Sequence, residues 1–270
     1  MSATSLVRLL ERVGAQGEGL LTYMGGLAYL ALDTLKSAVL GVLVRPRIKI
    51  DATFFQMVRL GVRAIPIIVL VEMFVGMILA FQLSPVLADY GQLDKVATVV
   101  AIAIFRELGP LITSIVLTGF AGAAIAAELG TMVVGEEIAA LKSSAIHPIR
   151  FLVVPRVIAC VLMTVALTIV ADIVGTAGGA IVDRFILHRD SWQYYHTVTD
   201  SLAVKDVVTG LIKSGFFGLL IVLISCYEGL GVSGGAGGVG RATTRSVVLS
   251  IFLIIAADCV FTTLFYIFQW

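Results

Sequence analysis

Charge is scarce in this chain. Asp, Glu, Lys and Arg make up 14% of its 270 residues and apolar residues 59%. Soluble domains carry roughly a quarter charged residues, so a water-soluble globule is excluded, whereas lipid solvates such apolar surface directly. Net charge is only +1, which leaves no basic field for nucleic acid. Cysteine is rare too. Cys160, Cys226 and Cys259 each sit inside an apolar run, with no CxxC or Cys/His spacing. A zinc site and a disulfide framework are both excluded, and the three read as buried, inert thiols. There is no arrangement of nucleophile and base and no metal-ligating cluster, so chemistry on a substrate is not expected, nor a cofactor in this chain. The first twenty residues hold Arg8, Glu11, Arg12 and Glu18 without a compact apolar stretch, so no cleavable signal peptide is expected there.

Long apolar runs fill the space that charge leaves. About 20 apolar residues cross a bilayer, and five stretches qualify: Ala64–Ser84, Val96–Ala127, Phe151–Val182, Val207–Tyr227 and Val247–Phe268. The expected fold is an all-α polytopic bundle of about five spans. A region over 1–50 precedes a membrane domain over 51–270. Within the former, Thr22, Gly26, Tyr29, Asp33 and Lys36 form a polar stripe along Leu20–Val44. That suits an amphipathic helix lying in the interface, a sixth span being the alternative. Arg45, Arg47, Lys49, Arg59 and Arg63 precede the first span. Their excess over the opposite loops predicts a cytoplasmic N-terminus and, after five spans, a periplasmic C-terminus. The loop Asp183–Asp206 would lie outside, with Tyr266 and Trp270 in the outer aromatic belt.

Several features stand out against this apolar background. Between the second and third spans lies ELGTMVVGEEIAALKSSAIHP, an acidic amphipathic stretch. Leu129, Met132, Val133, Ile138 and Leu141 make its apolar face, and Glu128, Glu136, Glu137 and Lys142 its polar one. Three acids sit poorly beside anionic lipid, so a docked protein is expected on this surface. Ionisable residues inside spans are costly and hence informative. Arg106 and Glu107, before Pro110, would face a polar cavity mouth at the end of a kinked span. Glu72, Asp172 and Asp258 would be ion or substrate-path sites, or polar side chains paired within the bundle. Ion-coupled secondary transport through these acids is one function class. Gly119, Ala123 and Ala127, and Gly175 and Gly179, recur every four residues, a spacing that lets helices pack closely in lipid. Last, Gly235, Gly237 and Gly240 match G-x-G-x-x-G. A span precedes them rather than a strand of a βαβ unit, so the run reads as a flexible turn, with Thr243 or Thr244 capping the fifth span.

RELGPLITSIVLTGFAGAAIAAELGTM, EEIAALKSSAIHPIRFLVVPRVIA and GVGRATTRSVV together resemble the MlaE/YrbE permeases, membrane subunits of MCE-associated ABC transporters. The resemblance runs from the interfacial helix to the last span. It implies a permease homodimer in a bacterial inner membrane, two cytoplasmic ATPases that hold ATP and Mg, an outer MCE-domain protein and, in many systems, a STAS-domain protein. It implies transport of phospholipid or a related lipid between membranes. The acidic stretch then corresponds to the coupling helix that docks into the ATPase, carrying Glu128, Leu129, Gly130, Met132, Glu136, Glu137, Ile138 and Leu141. Phe120 and Ala124 stand where many members have Arg and Ser, and Gly135 and Ala139 where many have Thr and Asp.

Overall fold

The computed structural model describes residues 18–19, 21–38, 50–185 and 190–268. The described residues are almost wholly helical and contain no strand. Helix α1 covers 21–38. Five helices are long and apolar enough to cross a membrane: α2 (Ile50–Asp89), α3 (Leu93–Val134), α5 (Ile149–Phe185), α7 (Val204–Leu230) and α8 (Gly235–Ile267). Two shorter ones join them, α4 (Glu137–Ser143) between α3 and α5, and α6 (Ser191–Ser201) between α5 and α7. Helix α1 is not among the five found among the described residues. The basic run around Arg45, Arg47 and Lys49, and Trp270, lie outside the described residues.

Small and polar residues at fourfold spacing decide which face of each span turns inward. On α2 the buried positions are Ile68, Glu72, Gly76, Ala80 and Ser84. On α8 they are Gly238, Ala242, Ser246, Ser250, Ile254 and Asp258. The large side chains Phe74, Phe81, Phe252 and Val260 point outward, as lipid allows. Gly76 meets Gly175 of α5 so closely that a Cβ there would overlap the Gly175 carbonyl. Gly175 and Gly179 thus act as expected, as close-approach positions. The Gly119, Ala123 and Ala127 row does not. Gly119 has open space around it, and Ala121, Gly122 and Ala126 are the small residues of α3 that turn inward. Buried hydroxyls bond back to the carbonyl four residues earlier, as Ser114, Thr118, Thr164 and Thr168 do. This satisfies them where no water reaches.

Helix α3 is continuous but irregular. Pro110 has no N–H, and a π turn over Ile104–Leu108 precedes it; a second runs over Thr118–Gly122. Widened turns of this kind absorb a missing backbone bond and bend the axis.

Three expectations need correction. The outer loop Asp183–Asp206 is largely structured: α5 runs on to Phe185 and α6 follows, N-capped by Asp190, whose Oδ1 accepts from the Trp192 amide. The glycine-rich turn is mostly helix. Gly234, with φ 84°, starts α8, and Thr243 and Thr244 are interior, donating to the Val239 and Gly240 carbonyls rather than capping. Finally, Cys160 and Cys226 are buried but Cys259 is exposed on the outer face of α8.

Candidate functional site

A charge cluster lies inside the membrane domain. Its centre is Lys213 of α7, 1% exposed, with Nζ 2.5 Å from Glu107 Oε2 and 2.9 Å from Asp258 Oδ1. Nζ also donates to Thr262 Oγ1 at 2.8 Å, and that hydroxyl donates to Glu107 Oε1 at 2.7 Å. Three spans thus converge: the π turn of α3 brings Glu107, α7 brings Lys213 and α8 brings Asp258 and Thr262. Lys213 lies nine residues below the start of α7, about 14 Å at 1.5 Å per residue, well within a hydrocarbon core of about 30 Å. Two carboxylates and one ammonium leave a formal charge of −1. The cluster is asymmetric. Lys213 is sealed, but the Glu107 side chain keeps 34% exposure and Thr262 is exposed, so a polar window opens between α3 and α8.

Sequence reasoning selected Glu107 and Asp258 but missed Lys213. The signal was available, since Lys213 breaks the run Val207–Tyr227 just as the acids break theirs. Arg106 and Glu107 do not act as a pair at the end of a span. They sit inside continuous α3 and diverge, Arg106 Nη1 lying 3.8 Å from Asp206 Oδ1 near the start of α7. Glu72 and Asp172 lie elsewhere, in the α2–α3–α5 interior, closed to their surroundings. Thr113 donates to Glu72 Oε1 at 3.5 Å, and Asp172 abuts Gly109, where a Cβ would overlap its Oδ1.

At the other end of α3 the expected surface stretch divides. Glu128, Leu129 and Gly130 belong to α3 itself. Leu129 and Gly130 are buried against α7 and α8. Glu128 joins three helices, its oxygens 2.9 Å from Arg59 Nη1 of α2 and 3.0 Å from Arg156 Nη2 of α5. The separate helix α4 is only Glu137–Ser143, set off by left-handed backbone at Glu136 and Ala145, both at φ 57°. Its inward side chains are Ile138 and Leu141, which with Met132 pack partly against the core; Val134, Glu136, Glu137 and Ile146 face out. The apolar pattern that marked a docking face therefore largely anchors α4 to its own bundle.

On the same end, α1 rests on α7. Leu27 and Leu30 join the core, and Tyr23 packs edge-on to Tyr227 with ring centroids 5.0 Å apart. Burial first, and the neighbouring Glu228 carboxylate second, push the Tyr23 phenol well above its ordinary pKa. On helix α6, burial and then Asp183 do the same for Tyr194. Both therefore stay neutral at ordinary pH. No cluster of three metal-ligating side chains occurs among the described residues.

Known proteins share much of this sequence. The family described as Permease MlaE matches residues 53–264. A probable ABC transporter permease protein of Rickettsia felis is 37% identical over 229 residues, covering 85% of this chain and 88% of that protein. The intermembrane phospholipid transport system permease protein MlaE of Haemophilus influenzae is 32% identical, over 78% of this chain and 81% of its own length. The chloroplastic protein TRIGALACTOSYLDIACYLGLYCEROL 1 of Arabidopsis thaliana is 37% identical over 79% of this chain and 61% of its own. With five spans in an all-helical bundle and a family match across most of its length, the chain belongs to the MlaE permease family.

Proposed function

We propose that this protein is the permease subunit of an ATP-driven transporter that moves phospholipid between membranes. The Haemophilus relative, named for intermembrane phospholipid transport, supports the substrate class. The observation that carries the reading is the Lys213–Glu107–Asp258 cluster, because it is open toward the bundle's outer surface at hydrocarbon depth. A charged window facing bare lipid costs several kcal/mol. A second copy of the permease set against α3 and α8 would convert the window into the wall of a polar cavity between protomers, where a headgroup can sit. The uncovered Gly119, Ala123 and Ala127 row flanks that surface and suits close helix approach.

ATP and Mg bind on a separate ATPase, for which α4 and its flanks offer the contact: Glu136, Glu137, Val134 and Ile146 project outward from the end of α3. In this reading that end is cytoplasmic in the inner membrane, and the opposite face, with α6, receives an MCE-domain partner. The test is lipid transfer by the reconstituted complex. Glu107→Gln and Asp258→Asn should each cut ATP-dependent transfer at least fivefold while the ATPase still copurifies. Transfer driven by an ion gradient without ATP would favour a secondary transporter and overturn the reading.

A further inference from the structure

A groove of about 520 Å³ lies where α1 crosses the ends of α7 and α8 that adjoin α4, in the range of small-ligand sites. Its walls are unusual for a membrane protein surface. Tyr23, Tyr29 and Tyr227 line it together with Glu228 and Arg245. Glu228 is 8% exposed, and among the described residues its Oε1 is met by an ion pair rather than a well-aligned hydrogen bond. Its ion-pair partner among the described residues, Arg245, approaches only to 3.4 Å and keeps 63% of its side chain exposed. The Tyr23 hydroxyl is buried beside the same carboxylate, close enough to interact with it. The Arg245 guanidinium lies over the Tyr23 ring, 5.5 Å from its centroid. A buried carboxylate held by one long ion pair and a neighbouring phenol keeps lone pairs that a further donor can fill.

The charge layout selects the ligand. A purely anionic group would meet Glu228, and a purely cationic one Arg245. A zwitterion carrying phosphate and ammonium meets both with opposite charge. Glu228 Oε1, with only the long Arg245 contact and the Tyr23 phenol beside it, can take a further hydrogen-bond donor, which a primary ammonium has and a quaternary one lacks. Tyrosine faces attract either cation. The setting selects a lipid. Three, seven and ten residues after Arg245 come Val248, Phe252 and Ile255, all strongly exposed. That spacing keeps them on the Arg245 face of α8, an apolar track leading from the groove into the membrane.

We propose that the groove holds a zwitterionic aminophospholipid of the leaflet on the α4 side. Its phosphate lies on Arg245, its primary ammonium against Glu228 and the tyrosines, and its acyl chains along Val248, Phe252 and Ile255. The inference deepens the proposed function, from which it takes only that the substrate is a membrane lipid.

The test uses the full transporter complex in nanodiscs with a photoactivatable phosphatidylethanolamine that reacts near its headgroup. Labelled peptides are mapped by mass spectrometry. Labelling should fall on residues 21–30 and 227–245 and be competed by phosphatidylethanolamine, at least fivefold less well by phosphatidylglycerol. Arg245→Gln and Glu228→Gln should each lower it at least fivefold. Tyr29→Leu, on an exposed position that the fold does not need, should lower it about threefold at unchanged thermal stability. Equal competition by phosphatidylglycerol, or undiminished labelling in all three variants, would overturn the proposal. ATP-dependent transfer is followed in the same samples. Transfer without labelling here refutes this site and leaves the proposed function standing; labelling without ATP-dependent transfer does the reverse.

Discussion

Replacing Lys213 with methionine isolates the energetics of the intramembrane cluster. The side chain is nearly isosteric, and Lys213 is sealed from its surroundings. The substitution leaves Glu107 and Asp258 facing each other with no cation, and Thr262 without its donor. Breaking a buried ion pair from one side costs about 3–5 kcal/mol. The 34% exposure of Glu107 admits some screening, so the lower end, about 3 kcal/mol, is the expected cost. At roughly 2–4 °C per kcal/mol for a chain of this size, the melting temperature should drop by about 6–12 °C.

The protein carries its own thermal probe for this. Cys160 and Cys226 are wholly buried, so a thiol-reactive dye reports unfolding once exposed Cys259 is changed to serine. A companion variant separates charge from packing. Lys213→Met combined with Glu107→Gln and Asp258→Asn has no unpaired charge, and neutral replacement of a buried ion pair is often close to stability-neutral. It should regain most of the lost melting temperature yet still fail to transfer lipid. A melting temperature for Lys213→Met within 2 °C of the parent would refute the energetic argument. Normal transfer by the neutral triple variant would remove the cluster from the substrate path.

Other expectations follow from the same geometry. Ile146→Asp, on an outward side chain, should abolish ATPase copurification without lowering melting temperature, whereas Leu141→Asp, on an inward one, should destabilise the permease itself by a few kcal/mol; pull-down and thermal unfolding distinguish the two. Gly76→Val should prevent close approach of α2 to α5 and lower melting temperature by several degrees, because the added side chain meets the Gly175 backbone, which cannot swing aside. Gly237→Ala should leave nucleotide affinity of the complex unchanged and stabilise α8 by up to about 1 kcal/mol, since its Cβ would meet only Arg241 Nη1 at 3.6 Å; nucleotide binding by the permease alone, lost in this variant, would contradict the helical reading.

Much of the fold was legible because lipid imposes simple rules. Five apolar runs gave five helices long and apolar enough to cross a membrane. What the sequence hid was decided by tertiary contact. Leu129, Met132, Ile138 and Leu141 share a helical periodicity with any surface-docking helix. Only the packing of Leu129 against α7 and Gly130 against α8, and the left-handed turn at Glu136, show that part of the pattern packs against the protein's own bundle. The glycine-rich segment misled for a related reason. Glycine weakens a helix by about 1 kcal/mol per residue, yet the close approach of Gly238 to the Ser233 backbone makes its missing side chain an asset. Lys213 carries the same cost of intramembrane charge as the acids, so its place in the run Val207–Tyr227 was legible in the sequence.

The placement of the charges suggests how the two ends of the protein communicate. Helix α3 carries Glu107 into the cluster and Glu128 into the Arg59–Arg156 bridge, then leads directly to α4. The path from Glu107 to Val134 is about 40 Å at 1.5 Å per residue. Over that length the helix is interrupted only by the π turns at Ile104–Leu108 and Thr118–Gly122. On the proposed reading, a push on α4 would reach the cluster through one continuous element, and the widened turns are where that element can bend. The Glu128 bridge pins α3 to α2 and α5 at the driven end, so displacement of α4 must either carry those helices along or break the bridge. Glu128→Gln weakens both ion pairs while keeping the side-chain shape. On the proposed reading it should preserve ATPase docking and ATP hydrolysis but lower lipid moved per ATP, since α3 would flex without carrying its neighbours. An unchanged ratio of transfer to hydrolysis would show that the bridge only stabilises the fold.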